Sequence, residues 1–174
     1  MTWTSFHRRG DVLRAVIAAA DARRDGVLPT DIDGVGAVFA DEREVLGALQ
    51  LKWHTRLAGR IEREQLHQPV DLPGAVVRAW QLTAAELPGV RAVLDARRAD
   101  PGDQATAAMM RTSAAKEHVL LAVMAGLASA SDDRAAAVGA RLEEDARRTL
   151  PAAAPTGTGE RASLLERLRA ALVA

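Results

Sequence analysis

Between Asp41 and His67 apolar side chains recur every three or four residues: Leu46, Leu49, Trp53, Leu57 and Ile61, with Leu51 and Ala58 widening the arc. Lys52, Arg56 and Arg63 take the opposite side. This is the period of an α-helix that buries one face. Asp41 caps its start, and Glu44 three residues on completes a capping box. Gln68-Pro69 stops it, giving a helix of about 26 residues, roughly 39 Å long. A helix with one long apolar stripe needs other elements to cover that stripe, and the rest of the chain offers only more helices.

A first helix is expected over Ser5 to Arg24, with Phe6, Leu13, Val16, Ile17 and Ala20 on one face and Gly26 and Pro29 ending it. Leu28 to Phe39 reads as a connector with one short helical turn. A third helix starts at the Asp71-Leu72-Pro73 cap, with a stripe of Val76, Trp80, Thr83, Leu87, Val90 and Leu94. The stripe keeps its phase across Pro88, so one kinked helix reaching Arg98 is expected. Asp100-Pro101-Gly102-Asp103 is a turn with Asp103 as the next cap. The fourth helix should run to about Ser129, with Met109, Met110, Leu120, Leu121, Met124 and Leu127 facing the core. A fifth, from Arg134 to Thr149, has a narrow stripe of Val138, Leu142 and Ala146.

Ala, Leu, Arg and Glu dominate the composition, and tyrosine is absent. These are helix formers, and the alternation of β-branched and aromatic residues that marks strands is missing. The expected class is therefore all-α: an antiparallel up-and-down helix bundle of four to five main helices with a short tethered C-terminal helix. Short loops force neighbouring helices antiparallel. Residues 1–150 form the bundle. Residues 151–159, rich in Ala, Pro, Thr and Gly, read as a flexible linker. Residues 160–174 read as an amphipathic helix, with Ser163 and Glu166 spaced as a capping box and Leu164, Leu165, Leu168 and Leu172 as the apolar face.

The 174 residues carry 23 basic and 23 acidic side chains, interleaved. A nucleic-acid partner would call for a basic excess, so none is expected. Val119 to Ala130, among the longest apolar stretches, is too short and interrupted for a membrane span. Without cysteine there are no disulfides, thiolate nucleophiles or cysteine metal sites. With no apolar leader before a cleavage site, a cytoplasmic location is expected.

One position breaks the apolar pattern. On a helical wheel Glu117 falls near the centre of the fourth helix's apolar face, among Met110, Ser113, Leu120, Leu121 and Met124. A glutamate there is costly unless paired or protonated. His54 and Gln50 fall inside the apolar arc of the second helix. Measured from their helix starts, His54 and Glu117 lie at similar depth, roughly 18 and 21 Å. A buried polar layer of Gln50, His54, Thr83 and Glu117 follows, with Glu86 and the Trp80 indole at a similar height. Its structural reading is a satisfied pair, Glu117 accepting from His54, Ser113 or an arginine such as Arg60. Its functional reading is a divalent-metal or small-ligand site in a ferritin-like bundle core.

Carboxylate-bundle metal sites need two copies of Glu-x-x-His, and this chain has one, Glu64 to His67. Glu117 and His118 are adjacent and point about 100° apart. Asp33-Gly-Val-Gly36 has no lysine after it to make a phosphate loop, and the serines lack a glycine elbow. With no catalytic motif and no required cofactor, the expected role is non-enzymatic, acting through protein contacts, either self-association or a regulatory partner. The leucine-faced helix, too short to be stable alone, is expected to dock either on its own bundle or in a partner's groove, and is the candidate partner-binding element.

Overall fold

A computed structural model of the chain describes residues 3–150, with side chains from residue 8 onward. The linker and the leucine-faced helix expected over 151–174 lie outside the described residues. Seven helices make up the rest: α1 (Trp3–Arg23), α2 (Val35–Val38), α3 (Glu42–His67), α4 (Leu72–Glu86), α5 (Pro88–Ala99), α6 (Gln104–Met124) and α7 (Ala135–Arg148). Among the described residues there is no strand, and the chain is an all-α bundle.

The expected caps are in place. The Asp41 carboxylate accepts from the Glu44 N–H at 2.9 Å, and Glu44 accepts in return from Ala40, one residue before the cap. Asp71 accepts from Gly74 and Asp103 from Thr106 in the same way. Each satisfies an N–H that the first helical turn leaves unpaired.

Partner order sets the helix directions. Arg60 reaches Glu86, while Glu64, further along α3, faces Arg78, earlier in α4. Arg97 at the end of α5 meets Glu42 at the start of α3. Gln50 and Gln65 of α3 meet Met110 and Met124 of α6 in matching order. The chain therefore runs up through α3, down through α4 and α5, and up through α6. Helix α7 packs on α6 and α4, and α1 crosses α5 and α3.

Three expectations need correction. Pro88 splits the third helix instead of kinking it. Leu87 leaves the helical region at φ −124°, ψ 55°. Pro88 has no N–H, and the next one, on Gly89, donates 2.7 Å to the Asp21 carboxylate of α1. A Cβ on Gly89 would stand 2.0 Å from the Ala20 carbonyl, so α1 crosses hard against the break. The fourth helix ends at Met124, not Ser129. Gly126 adopts φ +69°, and the N–H groups of Gly126 and Leu127 turn back to the Val123 and Ala122 carbonyls, a left-handed stop that favours glycine. In α7 the buried face is Ala135, Gly139, Glu143 and Ala146; of the expected stripe Ala146 is buried, while Val138 and Leu142 stand one position before Gly139 and Glu143 and are half-buried. A Cβ on Gly139 would sit 1.8 Å from the His118 carbonyl, so the small face packs close and the larger Val138 and Leu142 flank it.

The core runs through Val16, Leu46, Leu49, Leu57, Ile61, Val90 and Leu121. At its centre Trp53 and Trp80 meet edge to face, 5.8 Å between ring centroids. No described helix is long and apolar enough to cross a membrane.

Candidate functional site

Glu117 sits midway along α6 at 3% exposure, and three helices converge on it. The Trp80 indole N–H of α4 donates to Oε1 at 3.2 Å. His54 Nε2 of α3 lies 3.6 Å from Oε2. From α5, Arg91 and Arg98 approach the two oxygens at 3.6 and 3.9 Å. The depth match between His54 and Glu117 thus brings them together, and the Trp80 indole joins them. The other expected members do not join. Thr83 is buried but donates to the Ala79 carbonyl of its own helix at 2.7 Å. Gln50 donates to the Met110 sulfur. Arg60 and Glu86 pair with each other at 2.7 Å.

A second carboxylate extends the layer. Glu143 of α7, 4% exposed, lies 2.6 Å from His118 Nε2 and accepts from Arg98 at 3.0 Å and Arg147 at 2.6 Å. Arg147 also grips Asp95 of α5 with two hydrogen bonds of 2.8 and 2.9 Å, and Arg91 meets the same carboxylate at 2.8 Å. The circuit closes through Glu117, Arg91, Asp95, Arg147, Glu143 and Arg98, joining α5, α6 and α7. The guanidiniums of Arg91 and Arg147 lie 4.7 and 4.8 Å above the Trp53 and Trp80 rings.

Three arginines therefore face three carboxylates in a layer whose inner members, Glu117, Glu143 and Arg91, are buried, where charge must be balanced, while Asp95, Arg98 and Arg147 reach partly into solvent. Burial works against ionising Glu117, but the His54 contact and the Arg91 charge outweigh it and hold the carboxyl below the usual range. Burial also opposes ionisation at Glu143. There His118, Arg98 and Arg147 prevail and hold it well below. Burial lowers the pKa of Arg91 against the pull of Glu117 and Asp95. A guanidinium nonetheless keeps its proton at any ordinary pH.

The sequence signal for most of this circuit lies in α5. Arg91, Asp95 and Arg98 fall four and three residues apart, one helical ridge, and Arg91 and Arg98 lie on the same face as Leu87 and Leu94, between the apolar positions of the stripe. Glu143 and Arg147 repeat the spacing on α7.

Metal chemistry finds no donor set in this layer. The oxygens of Glu117 face an indole N–H, an imidazole and two guanidiniums, where a cation would meet positive charge. Glu64 and His67 each meet another group: Glu64 lies 3.9 Å from Arg78, and His67 Nδ1 lies 2.7 Å from the Arg63 carbonyl. Among the described residues no group of three or more His, Asp or Glu side chains is placed to hold a metal ion. Nor is any serine or threonine hydroxyl among them hydrogen-bonded to His54 or His118, the contact a nucleophile would need.

What the layer does leave over is donors. Trp53 Nε1, the three nitrogens of the Arg91 guanidinium and Arg98 Nε are buried without an aligned acceptor. Trp53, Arg91 and Arg98 line a cavity of about 10 Å3 beside Glu117. No protein-family profile, no curated protein and no solved structure matches this chain.

Proposed function

We propose that the protein is a non-enzymatic contact module that self-associates, a groove between α1 and α3 receiving the leucine-faced segment 160–174 of a second copy. The observation that carries this reading is the groove itself. It encloses about 590 Å3 and is walled by Leu13, Ala48 and Leu51, with Lys52 and the Arg9–Glu44 ion pair at its rim. Leu51 is 69% exposed in the middle of a helix whose other large apolar residues in the Leu46 to Ile61 stripe are covered.

Glycines support the same reading. A glycine inside a helix costs about 0.5–1 kcal/mol relative to alanine. Gly89 and Gly139 have a reason to be there, since a Cβ would strike neighbouring backbone. Gly47 has none: nothing lies within 4 Å of where its Cβ would be, and Gly10 across the groove meets only the tip of Arg14. Open glycines on a groove floor admit close approach of another backbone.

Helix α7 packs on neither α1 nor α3, so the helix that precedes residue 151 does not border the groove. A second copy can present its segment 160–174 there directly, and reciprocal exchange gives a closed two-fold dimer. The balanced charge of the chain fits a protein partner.

Light scattering of the full-length protein tests the proposal. A dimer is expected, reduced to a monomer by the pair Leu165→Asp and Leu168→Asp and, separately, by Gly47→Leu. A monomer throughout, or a dimer indifferent to both, would overturn it.

A further inference from the structure

We infer that the cleft between α3 and α6 is a binding site for a small organic carboxylate with an apolar tail. Two cavities lie one behind the other there. The inner one, about 10 Å3, is the pocket beside Glu117; the outer one, about 430 Å3, opens to solvent. They share Gln50, His54 and Ser113, which form the wall between them.

The inner cavity states what kind of atom it takes. Its groups without an aligned acceptor are donors: the Trp53 indole N–H, the Arg91 guanidinium, which meets Asp95 and Glu117 only as ion pairs at 2.8 and 3.6 Å, and Arg98 Nε, beside the Glu117 carboxylate that also lines the cavity. Trp53 is fully buried and Arg91 is 5% exposed. Each buried donor left without an acceptor costs about 1–3 kcal/mol, so the site calls for an acceptor. A space of that volume takes about one oxygen-sized atom, which is one oxygen of a ligand whose remainder lies outside.

The outer cleft states what the remainder is. Its lining contains no aspartate or glutamate, while Lys116, Thr112 and Ser113 present one cation and two hydroxyls. Lys116 makes no ion pair among the described residues, whereas most arginines around the bundle are paired. Met109, Ala108 and Leu51 supply the apolar wall. A carboxylate therefore enters with one oxygen past Ser113 and His54 toward Arg91, its charge beside Lys116, and its tail along Met109 and Leu51. Inorganic phosphate satisfies the charge but leaves that wall bare, and an alcohol satisfies the wall but leaves the donors and Lys116 without an anion. The cleft shares Gly47 and Leu51 with the groove between α1 and α3, so the titration is read on the full-length protein and on its Leu165→Asp, Leu168→Asp variant, whose groove is left open.

The test follows the 15N–1H signal of the Trp53 indole in the full-length protein, assigned with Trp53→Phe, during titration with hexanoate, hexanol and inorganic phosphate. Hexanoate should shift that signal saturably, with hexanol and phosphate ineffective. Lys116→Glu, a surface change, should weaken the hexanoate response about tenfold, the loss of one charge-assisted contact. Ser113→Leu should abolish it, with the other two indole signals confirming the fold. No saturable shift with hexanoate, an equal response to hexanol, or a response to phosphate alone would overturn the inference.

Discussion

The Arg91 guanidinium and the Glu117 carboxylate face each other at 3.6 Å with side-chain exposures of 7% and 3%. Neither has bulk water to fall back on, so each is held charged by the other and by the circuit around them. Removing one partner strands the other, which costs far more than breaking a surface pair.

Glu117→Ala should therefore lower the unfolding free energy by about 3–5 kcal/mol in urea denaturation. Arg43→Ala, which breaks the exposed Asp41–Arg43 pair, should cost less than about 1 kcal/mol. Near-equal losses from the two variants would mean that the layer contributes no more than its surface counterparts.

The same layer makes stability depend on pH. Glu117 and Glu143 titrate lower folded than unfolded. Their contribution is thus complete above the unfolded glutamate range, about 4.3, and is lost as pH falls toward and through the folded values. Wild-type protein should lose stability steadily below about pH 4.5, on the order of 2–3 kcal/mol from a carboxylate held this way. In Glu143→Gln that acid loss should be visibly shallower. An identical acid slope in both proteins would show that Glu143 takes no part in it.

Glycine replacements should separate by sign. Gly89→Ala and Gly139→Ala push a methyl into the backbone of Ala20 and His118, and each should cost on the order of 2 kcal/mol or more by overpacking. In the Leu165→Asp, Leu168→Asp background, where the groove is left open, Gly47→Ala meets nothing and should stabilise by about 0.5–1 kcal/mol. Thermal melts of the three variants read this directly. A destabilised Gly47→Ala would mean that Gly47 is there for the fold, and the groove would lose one of its supports.

Much of this architecture is legible in the sequence. The three caps at Asp41, Asp71 and Asp103, the stripe of α3 and the misplaced charge of Glu117 all follow from local spacing. The depth match of His54 to Glu117 needs only the rise of a helix. What was illegible depends on contacts between distant segments. The break at Leu87 is completed by Asp21 on α1, and the carboxylates that Arg91 and Arg98 meet come from α6 and α7. The closeness of Gly139 to His118 selects a face of α7 poorer in apolar volume than its neighbour. Thr83 shows the converse: its position suited the layer, but its hydroxyl is satisfied by its own helix.

The proposed exchange of residues 160–174 is tested most directly by cross-linking. The chain has no cysteine, so introduced thiols report without background. Two full-length variants, Ala48→Cys on the groove wall and an isotope-labelled Leu165→Cys on the exchanged segment, would be mixed and oxidised. Mass spectrometry then separates mixed from like pairs. The account predicts a mixed Ala48→Cys/Leu165→Cys disulfide as the main product, and little of it when Leu66→Cys at the far end of α3 replaces Ala48→Cys. Mixed product no more abundant than with Leu66→Cys would contradict it.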